Sequence, residues 1–360
     1  MHRAVYLLPL LTGCSSFHQD AQTDAGIIHI ADAGHDTSVH DAGVDRAPAS
    51  PFTVAAQLGD GGGLHSIWGS GAGDIHVVGD NGMIYDYNGT SWIPATGVTQ
   101  AYMGGVWGTS ATDIYAVGTL AAGARGAILH NDGTGWVEQI EEAAGLNAVW
   151  GTGGSAGTVY AVGLGGHLYT NTAGQGWVDP GHLPSDTCVP GQAADEPILW
   201  SVWGNNPTFV DIAADVDTFF RYDGQSSFLY SCDPQDRTVS YVSVWGPPTS
   251  GASPSIFLGA NYYGVWWDEG NPELLILNEE RDAGAQRANQ YIWGIWGTAS
   301  DSVVFVGDSG RIMSFNGGED GLTTWPSPTQ VSLYGVWGTS LADVWIVGDK
   351  GTILHGQIPQ

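Results

Sequence analysis

Positive charge is what this chain has least of. Its 360 residues include one lysine, Lys350, and nine Lys plus Arg stand against 37 Asp plus Glu, a formal charge of −28. Binding to a phosphate backbone needs Lys and Arg to displace counterions, so nucleic acid is excluded as a partner. Charged residues of both signs reach only 13%, leaving Gly, Ser, Thr and Asn to supply the polarity. No apolar run of ~18 residues exists, so no helix of this sequence spans a membrane. Cysteine is scarce as well, with three in all. What the chain does have is 55 glycines and 16 tryptophans, a composition that favours turns and strands over helices. Its length fits one large all-β domain as well as two smaller domains.

Met1–Gly13 carries Arg3, the apolar run Ala4–Leu11, then Leu11-Thr12-Gly13-Cys14. The pattern resembles a bacterial lipobox, which implies cleavage before Cys14, acylation of its thiol and a stable anchor once several acyl chains are buried. An ordinary secretory leader with an incidental cysteine is the alternative. Ser15 does not resemble an inner-membrane retention signal, so the expected location is the outer membrane of a Gram-negative-type envelope, periplasmic or surface-facing. Residues 14–51 then read as a tether. Asp-Ala-Gly recurs at Asp24, Asp32 and Asp41, and six aspartates face Arg46 alone. Such a segment repels itself and stays extended; its histidines lack the fixed geometry of a metal site, and no metal or cofactor is expected.

A Trp-Gly pair preceded by Val or Ile occurs seven times, at Trp68, Trp107, Trp150, Trp203, Trp245, Trp296 and Trp337, at spacings of 39, 43, 53, 42, 51 and 41 residues. Short strands repeating near every 40 residues are the signature of a propeller. In the first copy, Leu64–Trp68, Asp74–Gly79, Met83–Tyr87 and Ser91–Ala95 read as four strands separated by turn chemistry such as Asp80-Asn81-Gly82. The seventh copy lacks a fourth strand, and Phe52–Leu58 at the other end of the domain resembles one. The fold expected is therefore an all-β, seven-bladed propeller of four-stranded blades over 52–358, its ring closed by the N-terminal strand.

In each inner strand the fifth position is Trp and the third is small: Ser66, Gly105, Ala148, Ser201, Ser243, Gly294 and Gly335. The small residue is expected to make room for a neighbouring indole, and the seven tryptophans to be core. The most complete repeat, Val336–Ser340, Asp343–Asp349 and Gly351–His355, resembles bacterial exported lipoproteins with Val-Trp-Gly-Thr-Ser, Asp-Val-Trp-Ala-Val-Gly-Asp and Gly-Thr-Ile-Leu-His units. That resemblance covers all seven copies and implies fold and export rather than an activity. Asn88–Trp92 and Asn131–Trp136 also resemble the Asp-box of sialidase-type propellers, a structural turn.

Irregularity concentrates on one face, in the loops Asp179–Pro197 and Asn278–Gln290 and the insertion Leu120–Ala124, where repeat proteins usually bind. The second inner-strand position lies beside that face and varies freely: His65, Gly104, Asn147, Trp200, Val242, Trp293 and Tyr334. With Asp80, Asp215, Asn261, Asp308 and Asp349 in the adjacent turns, the candidate rim is Trp200, Trp293, Tyr334, His65 and Asn147. It suits a polysaccharide or a cell-envelope protein, one group stacking and another accepting hydrogen bonds. A water-filled mouth with turn-forming aspartates is the competing reading. A glycan-cleaving enzyme is the alternative function, but no catalytic residue stands out: the basic residues do not form an arginine clamp, and no Gly-x-Ser-x-Gly elbow, His-Glu-x-x-His or phosphate-binding Gly-Lys-Ser/Thr is expected. With Cys14 acylated, Cys188 and Cys232 remain as an even pair in an oxidising compartment, expected to form a disulfide, with two free thiols as the alternative.

Overall fold

The computed structural model describes residues 49–95, 98, 101–120, 125–140, 144–153, 157–179, 181–183, 196–215, 218–225, 227–231, 240–247, 256–261, 264–268, 271–275, 290–317 and 321–359. Cys14, Cys188 and Cys232, the tether and most of the long loops lie outside them. Among the described residues no helix is long and apolar enough to cross a membrane.

The strands form seven four-stranded antiparallel sheets. Sheet one is Leu64–Gly71, Asp74–Gly79, Ile84–Tyr87 and Trp92–Pro94; sheet two is Tyr102–Ser110, Asp113–Thr119, Gly126–Asn131 and Trp136–Ile140. Sheet three is Leu146–Gly151, Thr158–Gly163, Leu168–Thr172 and Trp177–Val178; sheet four is Leu199–Asn206, Phe209–Ala214, Thr218–Tyr222 and Ser227–Ser231. Tyr241–Trp245, Ile256–Ala260, Gly264–Asp268 and Asn271–Leu275 form sheet five, and Ile292–Ala299, Ser302–Gly307, Ile312–Phe315 and Leu322–Trp325 form sheet six. Sheet seven joins Leu333–Ser340, Asp343–Gly348 and Thr352–Gly356 to Phe52–Gln57, with Phe52 opposite Gly356 and Gln57 opposite Thr352. The first strand of each sheet packs against that of the next, and the first strand of sheet seven against that of sheet one.

Apolar clusters lie between sheets. One gathers Leu64, Ile67, Ile75 and Val77 of sheet one with Trp345, Val347 and Ile353 of sheet seven, all buried. The repeated tryptophans pack on these clusters as expected, but the room for them comes from elsewhere. Trp203 is buried, and the other six are half-buried. For six of them, Trp203 apart, room for the indole comes from the glycine of the next Trp-Gly pair, not from the small third position. A Cβ at Gly108 would lie 2.8 Å from Trp68 Cη2, one at Gly204 2.7 Å from Trp150 Cη2, and one at Gly69 2.7 Å from Trp337 Cη2. At Gly105 the third position instead faces backbone, a Cβ there lying 3.0 Å from Ala148 Cα. Where it is serine it ties neighbouring strands, since Ser66 Oγ accepts from Val106 N at 3.1 Å and Ser201 Oγ from Val244 N at 3.2 Å.

The rest of the repeat clamps the turns between first and second strands. Thr339 Oγ1 donates to Asp343 Oδ2 at 2.6 Å while His355 Nε2 meets Asp343 Oδ1 at 2.8 Å; Thr109, Asp113 and His130 repeat the arrangement. Burial pushes the Asp343 carboxyl up, but the bonds from Thr339 and His355 outweigh it and hold the group below its ordinary value. Hydroxyl and imidazole both bind the carboxylate rather than each other, so the trio is a brace and not a nucleophile with its base.

Candidate functional site

The seven freely varying residues share one backbone feature. In every first strand the pairing register slips at the second position: Leu64 pairs with Gly79 and Ser66 with Val78, skipping His65, and the same slip skips Gly104, Asn147, Trp200, Val242, Trp293 and Tyr334. Each is the extra residue of a β-bulge, relieved of ladder pairing and re-aimed. All seven line a single cavity of about 190 Å³ bounded only by first strands. The five rim residues named from sequence are thus brought together, and each is half-buried.

The turns between second and third strands sit beside them. Asn81 and Gly82 have φ of 56° and 74°, Ser309 and Gly310 58° and 74°, Lys350 and Gly351 58° and 65°. Two successive left-handed residues make a type I′ hairpin turn, which glycine accommodates without strain. The aspartate opening the turn has a structural duty: Asp80 Oδ2 accepts from Gly63 N at 2.7 Å, Asp308 Oδ2 from Tyr291 N at 2.8 Å, Asp215 Oδ1 from Ile198 N at 3.0 Å. Asn261 does the same for Ser240. In sheets one, six and seven the carboxylate has a second duty. Asp80 Oδ1 meets His65 Nε2 at 2.9 Å, Asp308 Oδ1 accepts from Trp293 Nε1 at 2.8 Å, and Asp349 Oδ1 accepts from Tyr334 OH at 3.1 Å.

These pairs organise an aromatic arc. Ring centroids are 4.5 Å apart for Tyr102 and His65, 5.1 Å for His65 and Tyr334, 5.8 Å for Trp293 and Tyr334, and 4.7 Å for Tyr291 and Trp293. Tyr102 is 41% exposed at one end. The Tyr334 hydroxyl is raised by burial and by Asp349, so it stays protonated. Burial pushes the Asp80 carboxyl up, yet the His65 and Gly63 hydrogen bonds hold it below the ordinary range, so it is ionised at neutral pH.

On the other half, Asn147 Nδ2 donates to Leu199 O at 2.9 Å, and Trp200 Nε1 is enclosed with no hydrogen-bond partner among the described residues. Sequence reasoning missed Tyr102, Tyr291 and Gly63, which precede the repeated strand motif and so carry no periodic signal. It also passed over Gly153-Gly154-Ser155-Ala156-Gly157, a Gly-x-Ser-x-Gly string. That string links Leu146–Gly151 to Thr158–Gly163, which pair antiparallel, whereas a nucleophile elbow needs a strand-to-helix turn. Among the described residues Arg125, Arg221 and Arg311 fall in different sheets. Arg221 is buried against Asp211, with Nε to Oδ1 at 2.8 Å, and lies over the Phe209 ring. A larger cavity of about 420 Å³ between sheets six and seven, beside Leu341 and Ile358, has no charged or aromatic lining.

No protein-family model and no curated protein matches the chain. By fold it is similar to YCF48 bound to D1 peptide, at 14% identity and a TM-score of 0.63 over 87% of this chain and 99% of that one. It is similar to YCF48 from Cyanidioschyzon merolae, at 13% identity and a TM-score of 0.63 over 86% of this chain and 99% of that one. The WD40 β-propeller domain of Doa1 shares 10% identity and a TM-score of 0.62 over 87% of this chain and 98% of that one. With these likenesses and the pairing of its strands, the chain is an all-β propeller of four-stranded blades.

Proposed function

We propose that this protein is an exported, lipid-anchored binding module: a seven-bladed propeller closed by Phe52–Gln57, tethered through Cys14 to the outer membrane and engaging a protein ligand at the mouth of its channel. The observation that carries the reading is the convergence of seven bulged residues on one cavity, the places where the repeat leaves side-chain choice free. Bulges commonly re-aim side chains at functional sites. Pairing of Phe52–Gln57 with Thr352–Gly356, and packing of Leu333–Ser340 on Leu64–Gly71, support the closed ring. A protein is favoured over a polysaccharide because the arc spends its polar atoms internally. Trp293, Tyr334 and His65 offer ring faces, with their hydrogen-bonding edges held by aspartates. One solved structure of similar fold is described as bound to a peptide. Cys188 and Cys232, both outside the described residues, would pair as a disulfide in an oxidising compartment.

The glycan-cleaving alternative draws on one observation. A Cβ at Gly63 would lie 3.2 Å from Asp349 Oδ1 and 3.4 Å from Asp80 Oδ2, so two carboxylates converge there, as a glycosidase pair must. Both already hold a partner side chain, which argues against a free nucleophile. Arrays of envelope-derived peptides and of oligosaccharides, probed with the mature chain and with Trp293→Ala/Tyr334→Ala, test the reading. Binding to peptides that the double variant loses without unfolding is expected; cleaved sugar products would instead establish the enzyme.

A further inference from the structure

Sheet three has Leu164-Gly165-Gly166 at the turn where sheets one, six and seven carry an aspartate, and two histidines meet beside it. His167 leads into the third strand and His182 lies on the crossing to sheet four, too far along the chain for a spacing motif. The two nonetheless face each other as an antiparallel bridge, with ring centroids 4.1 Å apart. Their outer hydrogen bonds decide what the rings offer. Gly165 O is 2.6 Å from His182 Nδ1, and a carbonyl only accepts, so that nitrogen carries the proton and Nε2 the lone pair. Asp179 Oδ2, 3.0 Å from His167 Nδ1, sets the same tautomer there. Neither Nε2 bonds another described residue.

The surroundings hold both rings in place. Asp179 Oδ1 accepts from Gly181 N at 2.8 Å, so one carboxylate ties the two histidine-bearing segments together. Leu183 N donates to Gly166 O at 2.8 Å, and the Leu183 side chain is buried with Tyr160, Leu168 and Leu199. Tyr169 stacks on His167, 5.6 Å between centroids. A histidine whose Nδ1–H is fixed by a carboxylate or a backbone carbonyl is the usual form of a metal-binding histidine, and here two such rings stand side by side. Glu196 Oε2 and His167 Nε2 both approach Gly165, 3.1 and 3.8 Å from where its Cβ would stand, which adds a carboxylate near the nitrogens. We propose that His167 and His182 bind, each through Nε2, a divalent transition-metal ion of the kind that prefers imidazole nitrogen, such as zinc. Among the described residues no group of three His, Cys, Asp or Glu could hold a metal ion. The protein therefore supplies two nitrogens and leaves the other positions to water or to an atom of a ligand. The ion ties the crossing segment to the third strand of sheet three. This site stands apart from the channel mouth and does not rest on its reading.

The probe is zinc chloride, titrated by calorimetry into the mature chain with the tether histidines His18, His29, His35 and His40 replaced by asparagine. A single equivalent is expected to bind, and His167→Asn or His182→Asn to weaken it by more than about tenfold, with Asp179→Asn costing roughly tenfold. His130→Asn, which removes an imidazole held by Asp113 in sheet two, should leave the affinity unchanged. Circular dichroism confirms that each variant is folded. Where one unfolds, the imidazole nitrogen resonances of the isotopically labelled, unsubstituted pair decide: both Nε2 signals move together as the equivalent of zinc is added. Absence of zinc binding, binding indifferent to His167 and His182, Nε2 signals that stay still, or displacement of zinc by equimolar calcium, which seeks oxygen ligands, overturns the site. None of these outcomes bears on the mouth, whose reading stands or falls with the peptide arrays.

Discussion

On one side of the channel mouth, sheets six, seven and one set Trp293, Tyr334 and His65 against Asp308, Asp349 and Asp80. On the other side, sheets two to five present Gly104, Asn147, Trp200 and Val242 at the same bulge. The backbone is equivalent on both sides; what differs is whether the turn carboxylate, besides clamping a backbone N–H, also holds the edge of the bulge ring. Sheet three has Leu164 where the aspartate would stand, so Asn147 turns to Leu199 instead. Sheet four has Asp215, but that carboxylate clamps Ile198 N and Trp200 Nε1 is left without a partner. A site therefore emerges where two independently variable positions agree, and the same scaffold without that agreement is only a lining.

If both halves are mouth rather than core, neither should behave like an inter-sheet tryptophan. Trp150 stacks on Tyr160, 6.0 Å between centroids, and lies over Gly204. Trp150→Ala should cost about 3–5 kcal/mol in urea unfolding, and Trp293→Ala clearly less; equal losses would make the arc ordinary packing.

The far half also holds the buried Asp211–Arg221 pair. Burial pushes Asp211 up to about 6 despite the Arg221 bonds. Its folded value lies above its unfolded one, so between pH 4 and 6 the folded state keeps a proton that the unfolded state has lost. Stability from this group is therefore full at the acid end and falls as pH rises through 6. Relative to Asp211→Leu/Arg221→Met, the native chain should lose stability as pH rises from 4 to 7. A difference that grows with pH would refute the assignment.

Trp293→Phe deprives Asp308 of one donor and should cost about 1–2 kcal/mol, whereas Trp200→Phe removes an enclosed donor with no partner and should be neutral or slightly stabilising. Matching costs at the two positions would erase the contrast between the halves. The smallest effect belongs to Lys350, whose φ of 58° suits asparagine better: Lys350→Asn should add about 0.5 kcal/mol, read as a small rise in Tm.

Much of the architecture is legible from Trp-Gly spacing, because a strand meander repeated near every 40 residues leaves few ways to bury its faces. Phe52 could be placed as a fourth-strand residue by its aromatic likeness to Trp92, Trp136 and Trp177. The bulge could not be read, since an inserted residue changes pairing without changing the motif around it. Its trace was the free variation of one position in an otherwise strict strand. The space for the indoles was assigned to the third position rather than to the following glycine because strand alternation says which residues share a face, not which neighbour they touch. The second duty of Asp80, Asp308 and Asp349 was hidden for a similar reason: each looks like a turn residue, and each is one. Tyr102 and Tyr291 precede the repeat and are visible only once the rings are placed.

The most direct measurement is the indole N–H spectrum of the isotopically labelled mature chain, with the Trp293 resonance assigned by Trp293→Phe, during titration with a peptide that the mature chain binds on the array. The arc predicts a saturating shift of the Trp293 signal while those of Trp68, Trp150 and Trp337 stay in place, with no such shift for a peptide that the array does not retain. A Trp293 signal that stays still while the peptide binds, or shifts spread evenly over the packing tryptophans, would contradict it.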